Sequence, residues 1–236
     1  MPKAVFHEWF KTYKNVFDQH SERLIFKLIS EGYFEGLKSP ISIGKEANIF
    51  SAEKKDGSPV IVKIYRLQNC NFNKMYYYIQ ADPRFPALKK QRRKVIFSWV
   101  QREYRNLLKA REAGARVPTP FTFADNIIVM EFIGDEKVAP MLKDSLPSDM
   151  ASFFNDLVDN MKKMYKAGLV HADLSAFNIL NFNDRPVFID FSQGTVTDNT
   201  EAESLLKRDI KNVCIFFRKY GLKADEEKVL KKIKGK

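Results

Sequence analysis

Cysteine is scarce in this chain: only Cys70 and Cys214 occur, far apart and without metal-ligand spacing. No secretory leader precedes them, so neither a disulfide framework nor a zinc site is expected, and a reduced, cytoplasmic setting is. No apolar run reaches the roughly 18 residues that span a bilayer, so the chain reads as soluble. Internal repeats and low-complexity linkers are also missing, which excludes solenoid arrays and long disordered spacers. With 44% hydrophobic and 29% charged residues, the 236-residue chain can bury a core as one bilobal unit or two small lobes.

The positive charge is unevenly placed. Of the net +11, the window from Arg66 to Arg111 carries +10, with twelve Lys or Arg against Asp82 and Glu103. Within it Lys89, Lys90, Arg92, Arg93 and Lys94 stand near Tyr76, Tyr77, Tyr78, Phe85 and Trp99. Cations interleaved with aromatics suit phosphate contact plus base stacking, and equally a solvated helix face and a solubilising loop.

Hydrophobic spacing sets the elements. Val5, Trp9, Tyr13 and Val16, then Leu24, Ile25, Leu28 and Ile29, predict two short amphipathic helices ending at Gly32, with a break over Asp18 to Ser21. Ile41 to Glu53 and Pro59 to Arg66 predict strands joined through Asp56-Gly57, and Phe121 to Phe123 with Ile127 to Phe132 a hairpin around Asp125-Asn126. Helices are expected over Lys90 to Glu112, along the Phe153 to Tyr165 stripe up to Gly168, and from about Leu205 onward. Two short strands flank Asn183-Asp184. The fold class this order predicts is α+β, bilobal and protein-kinase-like. It has a twisted antiparallel sheet plus helix in the N-lobe, a mainly helical C-lobe and extra N-terminal helices. The lobe boundary is placed just after Phe132, with a helical extension over 1–40, an N-lobe over 41–133 and a C-lobe over 134–236.

The chemistry concentrates in His171-Ala172-Asp173-Leu174-Ser175-Ala176-Phe177-Asn178 and, shortly after, Phe188-Ile189-Asp190-Phe191. Asp173 and Asn178 fit the catalytic-loop pattern H-x-D-x-x-x-x-N, and Asp190 ends a strand-like run where a metal-binding Asp belongs. Alternation in Val60 to Tyr65 puts Lys63 on the face shared with Ile61 and Tyr65, an ammonium among apolar neighbours that needs an anion. Glu103 shares a helical stripe with Trp99, Val100 and Leu107. The economical solution is that Lys63 and Glu103 pair while Lys63 also meets ATP phosphates. Departing from the usual kinase, the nucleotide loop has one glycine, Gly44, and no G-x-G-x-x-G, so it must be stiffer.

These residues resemble the RIO kinases, an atypical branch of the protein kinase superfamily. Ile43-Gly44-Lys45-Glu46-Ala47-Asn48 matches the nucleotide loop, His171 to Ser175 with Asn178 the catalytic loop, and Ile189-Asp190-Phe191-Ser192-Gln193 the metal loop. Val129 to Gly134 is similar to the hinge. Only about 40 residues precede the nucleotide loop, too few for a winged helix, so the branch without one is implied. The compact length points to an archaeal member.

The resemblance implies an ATP- and Mg²⁺- or Mn²⁺-dependent serine/threonine protein kinase with ATPase activity, working on precursors of the small ribosomal subunit and their rRNA. Ile43, Gly44, Lys45, Glu46 and Ala47 would border the nucleotide. Lys63 would contact phosphates, Glu103 would orient it, Met130 would be the gatekeeper, and the backbone of Glu131 and Ile133 would hold adenine. Asp173 would be the catalytic Asp, while Asn178 and Asp190 would bind the metal and Asp190 could accept the phosphoryl group. The segment from about 68 to 94 would be a flexible loop. It holds no Ser or Thr between Gln68 and Phe97, so autophosphorylation there would need Tyr76, Tyr77 or Tyr78.

Ser192 replaces the Gly of a typical D-F-G, no A-P-E follows, and Asp198 to Glu203 stands where the family has His-Pro. His171 is expected to brace the catalytic loop, and His7 and His20 to do nothing chemical. Two other functions stay open on the residues: a small-molecule phosphotransferase of the aminoglycoside kinase kind, and a nucleotide-switched assembly module without catalysis.

Overall fold

Helix α1, Gln19–Ser30, starts at the expected break because Asp18 is its N-cap, accepting from the Ser21 N–H at 3.0 Å. These features belong to a computed structural model that describes residues 17–68 and 70–235. The helix expected over Val5 to Val16, and His7 with it, lies outside the described residues. The described residues divide into two compact units, the first made of those within 1–79, 87–101 and 120–132, the second of those within 80–86, 102–119 and 133–236.

In the first unit a five-stranded antiparallel sheet runs β1-β2-β3-β5-β4, with β1 Gly36–Ile43, β2 Ala47–Glu53, β3 Pro59–Tyr65, β4 Pro120–Ala124 and β5 Ile127–Glu131. The single strand read over Ile41 to Glu53 is therefore two, parted at residues 44–46. The Gly44 N–H bonds to the Ala47 carbonyl at 3.0 Å and closes a reversal there. Gly57, at φ +84, turns β2 into β3, as the Asp-Gly pair predicts. Val60, Val62 and Ile64 of β3 join Ile25 and Leu28 of α1, Phe34, Phe50 and Val129 in one core cluster. Each such side chain contributes on the order of 1.5–3 kcal/mol by leaving water. Alternation leaves Ile61, Lys63 and Tyr65 on the other sheet face.

The segment read as a flexible loop carries a nine-residue helix, α2, Phe72–Gln80, seated through the buried Met75 and Ile79. A hydrophobic pair four residues apart is enough to seat it, against a sequence of Asn and β-favouring aromatics. Helix α3 follows over Arg92–Glu112. Trp99 is 2% exposed and Tyr78 packs on it with ring centroids 6.3 Å apart, so Trp99 is a core residue and not a stacking platform for bases. Of the three tyrosines only Tyr77 is exposed. His20, expected to be idle, pairs through Nε2 with Asp125 at 2.9 Å and ties α1 to the β4–β5 turn.

The second unit is built on α4, Met150–Lys166, α5, Ala202–Lys219, and α6, Glu226–Lys234. Asp149 caps α4, and Phe153 and Phe154 of α4 pack on Phe217 of α5. Two hairpin-like pairs carry the loops of interest: β6, Leu169–Val170, with β9, Thr195–Val196, and β7, Ile179–Phe182, with β8, Arg185–Phe188. Asn183 and Asp184, both at φ +54, form the β7–β8 turn. Cys70 and Cys214 are both buried free thiols. Burial raises the pKa of each, Cys214 to about 11.

Candidate active site

In the first unit the nucleotide-side residues sit on the sheet and its first reversal. Ile43 is exposed, Gly44 and Glu46 half-buried, Lys45 exposed, and Ala47 opens β2. A Cβ on Gly44 would come within 2.8 Å of the Ala47 carbonyl oxygen, so glycine is required there by close approach. Arg66 supports the reversal from below, its N–H donating to the Glu46 carbonyl at 2.9 Å and its Nη1 to that of Gly44 at 3.4 Å. One glycine thus gives a short braced loop, stiffer than a glycine-rich one. Lys63 is only 6% exposed, between Ile49 of β2 and Ile128 of β5 in register, with its ammonium 5.1 Å from the Tyr65 ring centre. Met130 is buried on β5, and Glu131 closes that strand half-buried.

The second unit brings Asp173, Asn178 and Asp190 into one pair of loops. Asn178 Nδ2 donates to the Asp173 carbonyl at 2.8 Å and lies 3.4 Å from Asp173 Oδ2, while the Ile189 N–H donates to the Asn178 carbonyl at 3.0 Å. The residue after Ile189 is Asp190, at φ +61 and ψ +68, a left-handed conformation that Asp adopts more readily than most non-glycine residues. Gln193 donates to Asp173 Oδ2 at 2.9 Å. His171 braces the loop: it is 1% exposed, its ring lies tilted against that of Phe191 with centroids 4.6 Å apart, and its Nε2 donates to the Ile189 carbonyl at 3.0 Å, which fixes the proton on that nitrogen. Ile133 and Gly134 begin the last stretch of this unit, with the Ile133 carbonyl accepting from Ala139 N–H at 2.9 Å. Glu103 on α3 is 1% exposed, as its stripe predicts.

Residues that sequence reasoning missed hold these loops in place. Asp209 of α5, 1% exposed, accepts from the Ala172 N–H at 2.7 Å and the Leu174 N–H at 2.9 Å, on either side of Asp173. Arg208 donates to the Ala172 carbonyl and Asn212 to that of Leu174 at 3.2 Å. Burial pushes the Asp209 carboxyl up to about 7, against the two N–H donors and Arg208, which favour its anion. From α3, Arg102 donates to the carbonyls of Gly194 at 2.9 Å and Gln193 at 2.7 Å, and Asn106 to those of Phe191 at 2.9 Å and Gly194 at 2.8 Å. Arg84 in turn donates to Asn106 Oδ1 at 2.8 Å and grips Asp82, which also lies 3.3 Å from Arg102. Burial raises the Asp82 carboxyl, but the Arg84 hydrogen bonds and charge, with that of Arg102, outweigh it and hold the pKa below the usual range.

The donor set fits magnesium. Mg²⁺ takes hard oxygen ligands, usually one or two from the protein, and completes its shell with water and phosphates. Asp190 supplies a carboxylate, and Asn178, whose Nδ2 is spent on Asp173, keeps its amide oxygen for a cation. No group of three or more His, Cys, Asp or Glu among the described residues forms a self-sufficient cage.

A five-stranded sheet with its helix inserted before β4, followed by a helical unit whose loops carry Asp173, Asn178 and Asp190, is the protein-kinase-like fold. Two solved structures of the Rio2 kinase from Chaetomium thermophilum share it. One is an ADP/Mg²⁺-phosphoaspartate complex, at TM-score 0.65 and 24% identity over 84% of this chain and 60% of that one. The other has TM-score 0.68 and 21% identity over 88% and 66%.

The chain belongs to the RIO family of atypical protein kinases: the RIO domain model matches residues 48–229. It is 40% identical to the RIO-type serine/threonine-protein kinase Rio1 of Methanocaldococcus jannaschii, over 98% of this chain and 80% of that protein. To Rio1 of Haloferax volcanii it is 36% identical, over 96% and 78%. The human serine/threonine-protein kinase RIO1 is 32% identical over 89% of this chain, which spans 38% of that longer protein. The chain is thus a RIO-type serine/threonine protein kinase.

Proposed function

We propose that this kinase uses ATP and Mg²⁺ in a cycle in which Asp190 itself can take the phosphoryl group. The observation that carries the reading is the Asp173–Asn178–Ile189 link, which fixes Asp173 and Asn178 beside a left-handed Asp190. Lys63 is the phosphate-binding cation, and Ile43 to Ala47 border the phosphates. Met130, Glu131 and Ile133 serve adenine. Asn178 and Asp190 would hold magnesium, which would supply positive charge to neutralise the phosphates.

Asp173 accepts the proton of an attacking serine hydroxyl or water. In the acyl-phosphate branch an Asp190 oxygen bonds to the γ-phosphorus, the bond to the β–γ bridging oxygen breaks, ADP leaves with that electron pair, and water later returns phosphate. The phosphoaspartate named in the Rio2 structure supports this branch. The proposed setting is the cytoplasm, on small-subunit precursors, with the Lys89 to Lys94 cluster touching rRNA phosphates.

The experiment is labelling with γ-³²P ATP. Wild type should acquire a hydroxylamine-labile label and turn over ATP faster with pre-ribosomal particles. Asp190→Ala should lose both label and metal-dependent turnover, and Asp173→Ala should lose transfer while its nucleotide affinity stays within about threefold. Full activity in either variant overturns the role given to that residue.

A further inference from the structure

Outside the reacting loops, the second unit holds a cavity of about 300 Å³ whose lining is charged, where an organic ligand site would be mainly apolar. Five cations face it: Arg116 from the α3–β4 connection, Lys162, Lys163 and Lys166 from α4, and Arg185 at the start of β8. Its two acids are already engaged. Asp156 meets Arg185 at 3.2 Å, and Asp159 meets Lys232 of α6 at 2.9 Å. Lys163 donates to the Gly114 carbonyl at 3.1 Å, whereas Lys162 and Lys166 make no ion pair among the described residues.

Arg116 is the fixed point of this cavity. Its N–H donates to Oδ1 of Asn160, a side chain only 3% exposed, at 3.0 Å, and its carbonyl accepts from Phe188 N–H at 2.9 Å. Anchored on both sides, Arg116 keeps its Nη1 buried with no hydrogen-bond partner. An orphaned guanidinium N–H out of water, beside further cations, is costly unless an acceptor arrives. Burial first, and then the charge of Arg185, lower the Arg116 pKa from its ordinary value. An anion would relieve both.

We propose that this cavity is an anion site that takes a phosphate group, with Arg116 as its anchor and Lys162 and Lys166 supplying the remaining charge. Two sources offer that group, an RNA backbone and a small phosphorylated compound, because a guanidinium fork and ammonium groups match both. Nothing in it depends on phosphoryl transfer at Asp173 and Asp190.

Arginine Nε–Hε NMR resonances of the full chain, titrated with sodium phosphate against sodium chloride of equal ionic strength, test this. Because the Arg116 resonance itself is read, phosphate bound at the nucleotide loop does not register. It should shift and saturate with phosphate only. Lys162→Gln/Lys166→Gln, which retains Arg116, should weaken the response about tenfold or more. Arg116→Gln should keep the amide spectrum of the fold while losing phosphate protection against thermal unfolding. If a single-stranded RNA 12-mer displaces phosphate, and the lysine variant reduces its salt slope by about 1 to 1.5, the source is RNA backbone. If RNA does not displace phosphate, the source is a small phosphorylated compound. An Arg116 response no greater than with chloride, or one undiminished in the lysine variant, overturns the site.

Discussion

Asp209 shows how one carboxylate can set the behaviour of a loop it never reacts in. Its pKa of about 7 lies above the ordinary value of roughly 3.9, so the native state holds that proton more tightly than the unfolded chain. This group's contribution to stability is then fully present below about pH 4 and falls as pH rises through about 7. Compared with Asp209→Asn, which cannot titrate, wild type should gain melting temperature on going from pH 8 to pH 6, measured by calorimetry at each pH. Asp209→Ala leaves two buried N–H groups without their acceptor, at a cost of about 1–3 kcal/mol each. It should lower kcat with little change in ATP affinity, because Ala172 and Leu174 flank Asp173. At Gly44 the limit is space. Gly44→Ala drives a Cβ against the Ala47 carbonyl and should raise KM for ATP about tenfold, with kcat less affected, in steady-state assays.

Among the elements, α3 does the least expected work. Asn106 and Arg102 hold the carbonyls of Phe191, Gln193 and Gly194, and a Cβ on Gly194 would meet Asn106 Nδ2 at 2.8 Å, so that turn is fitted closely to the helix. Asn106→Ala should cut turnover at limiting Mg²⁺ and leave it partly restored at high Mg²⁺, since the loop that positions Asp190 loses its support. Metal titration of ATP turnover reads this. Asp82→Asn weakens the buried charge that Arg84 and Arg102 share and should destabilise the protein by about 3 kcal/mol. Because the Asp82 pKa is held low, its stabilisation is present above about pH 4 and is lost as pH falls through the lowered value, the opposite sense to Asp209. The strands, the hairpin turns and the burial of Lys63 and Glu103 were legible in the sequence, because alternation and a charged residue on an apolar stripe are local patterns. Arg102, Asn106 and Asp209 were not. Their partners are backbone carbonyls and N–H groups 35 to 92 residues away, and a lone polar residue on a helix reads as solvent-facing. Helix α2 was hidden by its composition and by the family loop it falls in.

For the whole molecule, charge is the organising quantity. Converting Lys89, Lys90, Arg92, Arg93 and Lys94 to Ala should weaken RNA association and flatten its dependence on salt, by about 0.7 in slope for each single-strand phosphate no longer neutralised. Filter binding across a salt series measures it, and an unchanged slope would leave the cluster as solvated surface. The structure bears on that cluster by withdrawing Trp99 into the core and leaving Tyr77 as the exposed aromatic of the tyrosine run. The link of Asp173 to Asn178 was legible because a loop of this pattern spaces its Asp and Asn by chain geometry alone. The left-handed backbone of Asp190 was not, since no residue type announces it.

The two sulfhydryls have a practical consequence. Both are shielded, and burial pushes the Cys214 thiol up to about 11, so neither should react with maleimide at neutral pH. A reporter thiol placed at Tyr77 would therefore take a fluorophore alone, without first stripping the native ones. The emission of that single label on the tyrosine helix then reports directly whether adding nucleotide changes its surroundings, on otherwise unaltered enzyme.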